Sequence, residues 1–486
     1  MMELIIASHH SGLIDCISAK GEDRFNRRMK KDSNLDEIKQ NVDQSMILEA
    51  DSIHKVAVDS LASLIMDIRS RSIDELSSQF RKGLLARFIL SCLIDADHTD
   101  TANFNNGTIL EKEGIDWEVI ITRYYDHMSK FDGMDMINKI RLKISDCCHD
   151  ASSCNRGIFS LSVPTGGGKT LSSLRFALEH LRNHNMDRII YVIPYTSIID
   201  QNAQVVRDAI ERENENIVRE YHSNVDAGDT GDDQENPWRH SSDPWDSPII
   251  FTTMVQFMDT LFSSGTKCAR RMHNLANSVI IFDEIQTLPI KLIYMFNEAI
   301  NFLTGWCNSS VVLCTATQPL LSSELLKYPM GPTSKIIGDS EELFKSMKRV
   351  EVVKPDDTTW DANKIASLVS DKRRSGKSVL VITNTKSMAK DIHMNVVDLL
   401  GDDADTYHLS TNMCAAHRMK VLSEVRNSLS NGENTICIST QLIEAGVDVD
   451  FETVIRCMAG IDSVAQAAGR CNRNGKMSGL GEVYVI

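Results

Sequence analysis

The chain has no uninterrupted apolar run near the ~18 residues that a membrane-crossing helix needs. Its opening residues, Met1-Met2-Glu3-Leu4-Ile5-Ile6, lack the basic start and long apolar stretch of a secretory leader. None of its 12 cysteines stands in C-x-x-C spacing. The tightest group, Cys147, Cys148 and Cys154, has no second half to complete a zinc site. Reduced thiols, a cytoplasmic location and no membrane contact are therefore expected. Positive charge is in deficit: 52 Lys+Arg against 67 Asp+Glu leave −15. That excludes a histone-like coat but permits a local basic groove. Aromatics are 6%, too few for an extended base-stacking platform.

What is present is a 486-residue chain, 42% hydrophobic and 24% charged, a composition that folds. At a prior of about 150 residues per domain, it has room for three. Residues 1–130 read as helical, with Val56, Leu61, Leu64, Ile65 and Ile68, then Leu84, Leu85, Phe88, Ile89, Cys92 and Leu93, at helical spacing. From 158 to 314, short apolar runs (158–163, 189–193, 249–252, 279–282, 311–314) alternate with helical patterns. A parallel sheet covered on both faces requires that alternation. It restarts after Pro329-Met330-Gly331-Pro332, which reads as a linker, with runs at 379–383, 406–409, 435–439, 453–456 and 482–486. The expected fold is α/β: two tandem parallel-sheet lobes, 131–330 and 331–486, with a cleft between them and an all-α region, 1–130, in front. The stretch 224–248 holds seven acids against one base, Arg239, and reads as a solvated loop.

Pro164-Thr165-Gly166-Gly167-Gly168-Lys169-Thr170 follows a predicted strand and opens a predicted helix. Glycines in that setting let backbone N–H groups converge on phosphates, and the helix N-terminus adds its positive end. Lys169 is placed for the β/γ-phosphates and the Thr170 hydroxyl for Mg²⁺. Val163 stands where the strict pattern has glycine. Asp283 and Glu284 end another apolar run; Asp283 is suited to Mg²⁺, and Glu284 to orienting and deprotonating an attacking water. An Asp-Glu pair alone is as well explained by a solvated strand end, and gains meaning beside Lys169. In Gln466-Ala467-Ala468-Gly469-Arg470-Cys471-Asn472-Arg473, two arginines three apart share a helical face. Alone they suit a solvated surface; opposite a phosphate site they become candidates for contacting the γ-phosphate.

In this order the pieces resemble the superfamily 2 helicases, built on two RecA-like lobes. Thr315-Ala316-Thr317 and the segment from Ser439 to Asp448 resemble that superfamily's coupling motifs, and Thr252-Thr253 a strand-contacting motif. Asp283-Glu284-Ile285-Gln286, Thr315-Ala316-Thr317-Gln318-Pro319 and the segment from Gln466 to Gly475 resemble, more narrowly, the CRISPR-associated helicase–nuclease of type I interference systems. In that family a metal-dependent HD nuclease domain precedes the lobes. His9-His10 matches its double-histidine motif, and the segment around Asp97-His98 its late acidic motif.

The resemblance implies His9, His10 and Asp97 as metal ligands, for Mn, Co, Ni or Fe, and imidazole with carboxylate suits such metals. The family's further HD ligands should lie before His9 and its accessory domain after Ile486, so a partial chain with an incomplete nuclease is expected. The family reading also nominates Thr165, Gly166, Gly167, Gly168, Gln466, Gly446 and Asp448 for nucleotide, and Asn138 and Arg141 for adenine. Thr252, Thr253, Thr383, Asn384 and Thr440 are nominated for a nucleic-acid backbone. The expected function is ATP- and Mg²⁺-dependent movement on single-stranded DNA, with a CRISPR RNA-guided surveillance complex as partner. A superfamily 2 helicase for RNA or repair, or an inactive nucleic-acid-binding fragment, are the alternatives.

Overall fold

The computed structural model describes residues 1–18, 20–30, 40–107, 114–131, 136–213, 215–222, 245–315, 321–338, 340–355, 359–401, 405–444 and 447–486. The acidic stretch lies almost wholly outside them, as do Gly446 and residues 316–319.

Lobe one is built on seven parallel strands: β1 (Ile158–Ser162), β2 (Arg188–Ile193), β3 (Val218–Tyr221), β4 (Ile249–Thr253), β5 (Ser278–Asp283), β6 (Ser310–Thr315) and β7 (Thr333–Lys335). Their spatial order is β3-β4-β2-β5-β6-β1-β7. Lobe two has six: β8 (Val350–Val353), β9 (Val379–Thr383), β10 (Thr406–Leu409), β11 (Ile436–Thr440), β12 (Thr453–Arg456) and β13 (Gly481–Val485), in the order β10-β11-β9-β12-β13-β8. The central strands are buried on both faces, which is why they read as unbroken apolar runs rather than alternating ones. These are two RecA-like lobes. Parallel pairing sets the C-terminal ends side by side: Ser162 lies opposite Thr315, and Asp283 opposite Cys314. Groups meant for a ligand at a parallel sheet's edge belong there.

Two expected boundaries move. Residues 329–332 are not a linker: Met330 is buried, Gly331 N–H donates to Asn301 Oδ1 at 2.8 Å, and β7 pairs with β1. Leu343 and Met347 still belong to the lobe-one core, so lobe two begins at about Arg349 rather than 331. At the other end, Ile120, Ile121 and Tyr124 on the helix Trp117–Met128 pack into that same core, which reaches back before residue 131.

The N-terminal helices dock on lobe one. Arg81 on the helix Glu75–Asn106 makes a two-pronged, buried ion pair with Glu298, at 2.7 and 3.1 Å, and Ser77 donates to the same carboxylate at 2.8 Å. Burying that pair is tolerable because the carboxylate is fully hydrogen-bonded. The helix Gln44–Ser70 is only partly packed: Ile68 is buried, yet Met46, Ile53, Val56 and Met66 face outward. The apolar spacing there predicts a helix correctly but not its partner. No described helix is long and apolar enough to cross a membrane.

Candidate active site

The phosphate loop joins β1 to the helix Lys169–His184. Gly168, at φ 77°, is the residue from which that helix starts, a left-handed position that a side chain would strain. A Cβ on Gly167 would come within 2.5 Å of Val163 Cγ1, so the loop is packed to glycine dimensions.

Lys169 Nζ donates to Glu284 Oε1 at 2.8 Å and lies 3.5 Å from Asp283 Oδ1. Burial alone would depress its pKa; the two carboxylates outweigh burial and raise it. The carboxylates divide. Burial, with Glu284 as a like-charged neighbour, pushes Asp283 upward, whereas Lys169 holds Glu284 below the ordinary glutamate value despite burial. Glu284 stands at φ 50°, an uncommon conformation for a residue with a side chain. Gln286 Nε2 donates to its Oε2 at 2.6 Å, and Thr315 Oγ1 donates to Gln286 Oε1 at 2.6 Å. The Asp-Glu pair is thereby tied to the end of β6.

From lobe two, Arg470 is 5% exposed and spends Nε on the Ile443 carbonyl (3.0 Å) and Nη2 on that of Glu444 (2.6 Å). Its Nη1 is buried with no hydrogen-bond partner among the described residues. Burial, helped by Arg473, lowers its pKa to about 10. Arg473 pairs with Asp448 at 2.8 Å. A cavity of about 300 Å³ is lined from one side by Thr165, Lys169, Thr170, Asp283 and Glu284, and from the other by Gln466, Arg470, Arg473 and Asp448. The lobes touch closely here: a Cβ on Gly469 would stand 2.6 Å from Thr165 Oγ1. A triphosphate fits this donor set: a cation at the loop, a glycine cradle, and a buried guanidinium with an uncommitted N–H.

Other nominated residues are mostly engaged by the protein itself. Arg141 is spent on the phosphate loop itself, donating Nε and Nη2 to the Gly166 carbonyl at 3.0 and 2.9 Å, with Nη1 on Asn138 at 3.1 Å. With those bonds in place, Arg141 still lines the cavity beside the loop. Thr252 is buried and donates to the Tyr221 carbonyl at 3.1 Å; Thr383 is buried and donates to the Thr385 carbonyl at 2.9 Å. Interior-facing strand hydroxyls of this kind do not present themselves to a nucleic acid in the described arrangement. The Thr253 side chain caps the next helix, accepting from Gln256 N–H at 3.1 Å. Thr440, the last residue of β11, is buried as Thr383 is at the end of β9, whereas Asn384, just after β9, is exposed.

Sequence reasoning passed over Asn202, whose Oδ1 accepts from Thr170 Oγ1 at 3.2 Å, and Arg349, described below. Asn202 sits mid-helix at no motif spacing; its only signal is that the helix Thr196–Ile210 follows a central strand.

His9, His10 and Asp97 do meet. Ile5 on the helix Met2–Ser8 packs against Leu90 and Ile94 on the helix Glu75–Asn106, bringing their ligand atoms within 4.8 Å of one another. His10 and Asp97 are exposed, and His9 Nδ1 lies 2.6 Å from the Ile6 carbonyl. A second grouping, Asp200, Glu220 and His222, is partly neutralised by Arg207, which pairs with Glu220 at 2.6 Å.

Residues 137–324 match the DEAD/DEAH box helicase family, and residues 375–476 the C-terminal region of the CRISPR-associated nuclease/helicase Cas3. The chain is 25% identical to the CRISPR-associated nuclease/helicase Cas3 of Haloferax volcanii over 420 residues, covering 65% of this chain and 45% of that protein. It is also 25% identical to the Cas3 of Methanothermobacter thermautotrophicus over 331 residues, with 65% and 38% covered. The crystal structure of T. fusca Cas3 with ATP superposes with a TM-score of 0.64 at 16% identity, over 83% of this chain and 55% of that one. The chain thus spans less than half the length of these curated relatives. It carries a region matching the DEAD/DEAH box helicases and one matching the Cas3 C-terminal region, and is similar to the CRISPR-associated nuclease/helicases.

Proposed function

We propose that this relative of the CRISPR-associated nuclease/helicases is an ATP-driven motor that moves on single-stranded DNA in the cytoplasm, in type I CRISPR interference. The observation that carries the ATPase reading is the shared cavity, with Lys169, Asp283 and Glu284 on one wall and Arg470 on the other.

Without nucleotide, Lys169 is committed to Glu284. Phosphates entering the loop compete for the ammonium; as Lys169 turns to them, Glu284 keeps its Gln286 bond and gains a free oxygen for a water. An ionised Glu284 is the form that can accept the water's proton. Arg470 Nη1 and Arg473 then meet the charge that develops on the transferred phosphoryl group, and Gln466 completes the wall. Thr170 and Asp283 offer the hard oxygen donors Mg²⁺ prefers, and the ion's charge would neutralise the phosphates. Because Glu284 is linked through Gln286 to Thr315, and Arg470 to the Glu444 carbonyl after β11, hydrolysis is coupled to both sheets' strand ends, where exposed Asn384 would meet the nucleic acid.

Two imidazoles and one carboxylate at His9, His10 and Asp97 suit one Mn, Co, Ni or Fe ion, not the two-metal clamp that strand cleavage uses. Nuclease action by this chain alone is therefore not proposed. A CRISPR RNA-guided surveillance complex is the expected recruiter, on family resemblance. The test is ATP hydrolysis by the purified chain with single-stranded DNA and with single-stranded RNA. DNA stimulation absent in Lys169→Ala supports this reading; RNA preference would move the chain to the general superfamily 2 helicases.

A further inference from the structure

Arg349 stands just before β8, outside every motif considered above. Its carbonyl is held by Gly481 N–H at 2.9 Å and Asn472 Nδ2 at 3.1 Å, which fixes its backbone to the arginine-bearing segment of lobe two. Its guanidinium crosses the seam between lobes. Nη2 donates to the Thr165 carbonyl of the phosphate loop, and Nη1 to the carbonyl of Arg473. The seam is made of glycines: a Cβ on Gly166 would stand 3.1 Å from Arg349 Nη1, and one on Gly475 3.6 Å from its Cδ. Arg349 does not line the nucleotide cavity, so its donors serve the protein. Burial lowers its pKa, and Arg473 and Arg141 nearby lower it further, a crowding of positive charge that a triphosphate would relieve.

We propose that Arg349 is a positioning residue that latches the two lobes, bridging the Thr165 and Arg473 carbonyls so that Arg470 and Arg473 stand over the phosphate loop in the arrangement that hydrolyses ATP. The planar fork of a guanidinium can serve two carbonyls at once; an ammonium is a single point donor on a flexible stem. The proposal rests on the ATPase reading above for its catalytic consequence, but the latch itself is formed without nucleotide.

Two measurements test it. The first is a full ATP titration of hydrolysis for wild type, Arg349→Ala and Arg349→Lys, with melting temperatures and the affinity of a non-hydrolysable ATP analogue. Arg349→Ala is expected to lower kcat by about 10- to 100-fold, the scale of a misplaced transition-state contact, while analogue affinity changes less than about 3-fold. Arg349→Lys should recover only part. Millimolar guanidinium ion should partly restore Arg349→Ala and not Lys169→Ala. Unchanged kcat, or a loss that follows a lowered melting temperature with no rescue, would overturn the latch. The second is hydrogen exchange of residues 163–170 and 470–475 without nucleotide. Faster exchange in both segments of Arg349→Ala supports the latch even if wild type hydrolyses no ATP, a result that would defeat the ATPase reading alone; unchanged exchange refutes the latch.

Discussion

In the interlobe cleft, the charged groups proposed for phosphate and water are held by others: Lys169 by two carboxylates, Glu284 by Gln286, Arg470 by two carbonyls. The His9, His10 and Asp97 cluster is likewise assembled from separate parts of the chain, yet two of its three members are exposed. Both regions show that packing can gather chemically apt residues; Ile5 against Leu90 and Ile94 does it for the cluster, and the parallel sheet does it for the cleft. Precise function needs the supporting contacts as well. The comparison therefore separates a cleft whose charged groups are each braced by neighbours from a ligand set left largely open.

The largest expected effect is on the cleft. Lys169→Ala should reduce ATP hydrolysis by at least about 10³-fold, since it removes the cation at the β/γ-phosphates; turnover within 10-fold of wild type, by steady-state assay, would break the assignment. Glu284→Gln should cost about 10²-fold or more in hydrolysis while ATP binding stays nearly intact, because general-base catalysis contributes on that scale. Equal loss of both, measured by binding and single-turnover assays, would remove its role as base.

The scaffold under the cleft has its own pH limit. His180 is fully buried between the Ser152 carbonyl and Ser310 Oγ, both 2.8 Å away, and burial lowers its pKa from 6.5 to about 4. The unfolded chain binds this proton below pH 6.5 and the folded chain only near 4. The contribution is thus fully present above 6.5 and is lost as pH falls toward 4, by up to about 3 kcal/mol. Urea denaturation across that range should show a loss that His180→Gln largely removes. The smallest effect is expected at the cluster: His10→Ala should change ATP hydrolysis by less than about 2-fold, as a substitution of an exposed residue that does not line the cleft. With Mn²⁺, Co²⁺ or Ni²⁺, little single-strand DNA cleavage is expected; robust cutting lost in His10→Ala would reverse the comparison.

Much of this was readable from sequence because buried parallel strands and a glycine-rich turn leave local signatures. The phosphate loop, Asp283-Glu284 and the central strands fall where their patterns put them. Three of the four edge strands did not: β3, β7 and β8 span only four, three and four residues, and β7 is polar, whereas the equally short edge strand β10 does show in the sequence. The lobe boundary was misplaced for the same reason, since Pro329-Met330-Gly331-Pro332 resembles a linker but is pinned by Asn301. Hydroxyl direction is likewise invisible in sequence: Thr252 and Thr383 belong to strands buried on both faces. Arg349 and Arg141 act on backbone carbonyls of the phosphate loop, and a carbonyl leaves no trace in residue identity.

The central claim is that one site is shared by two lobes, and Arg470→Ala tests it most directly. Nucleotide affinity and single-turnover hydrolysis should be measured on the same preparation. The account predicts hydrolysis lower by about 10²-fold or more, on the scale of a lost transition-state contact, with affinity within about 5-fold of wild type. Hydrolysis at the wild-type rate would mean that lobe two does not reach the phosphates, and would contradict the account.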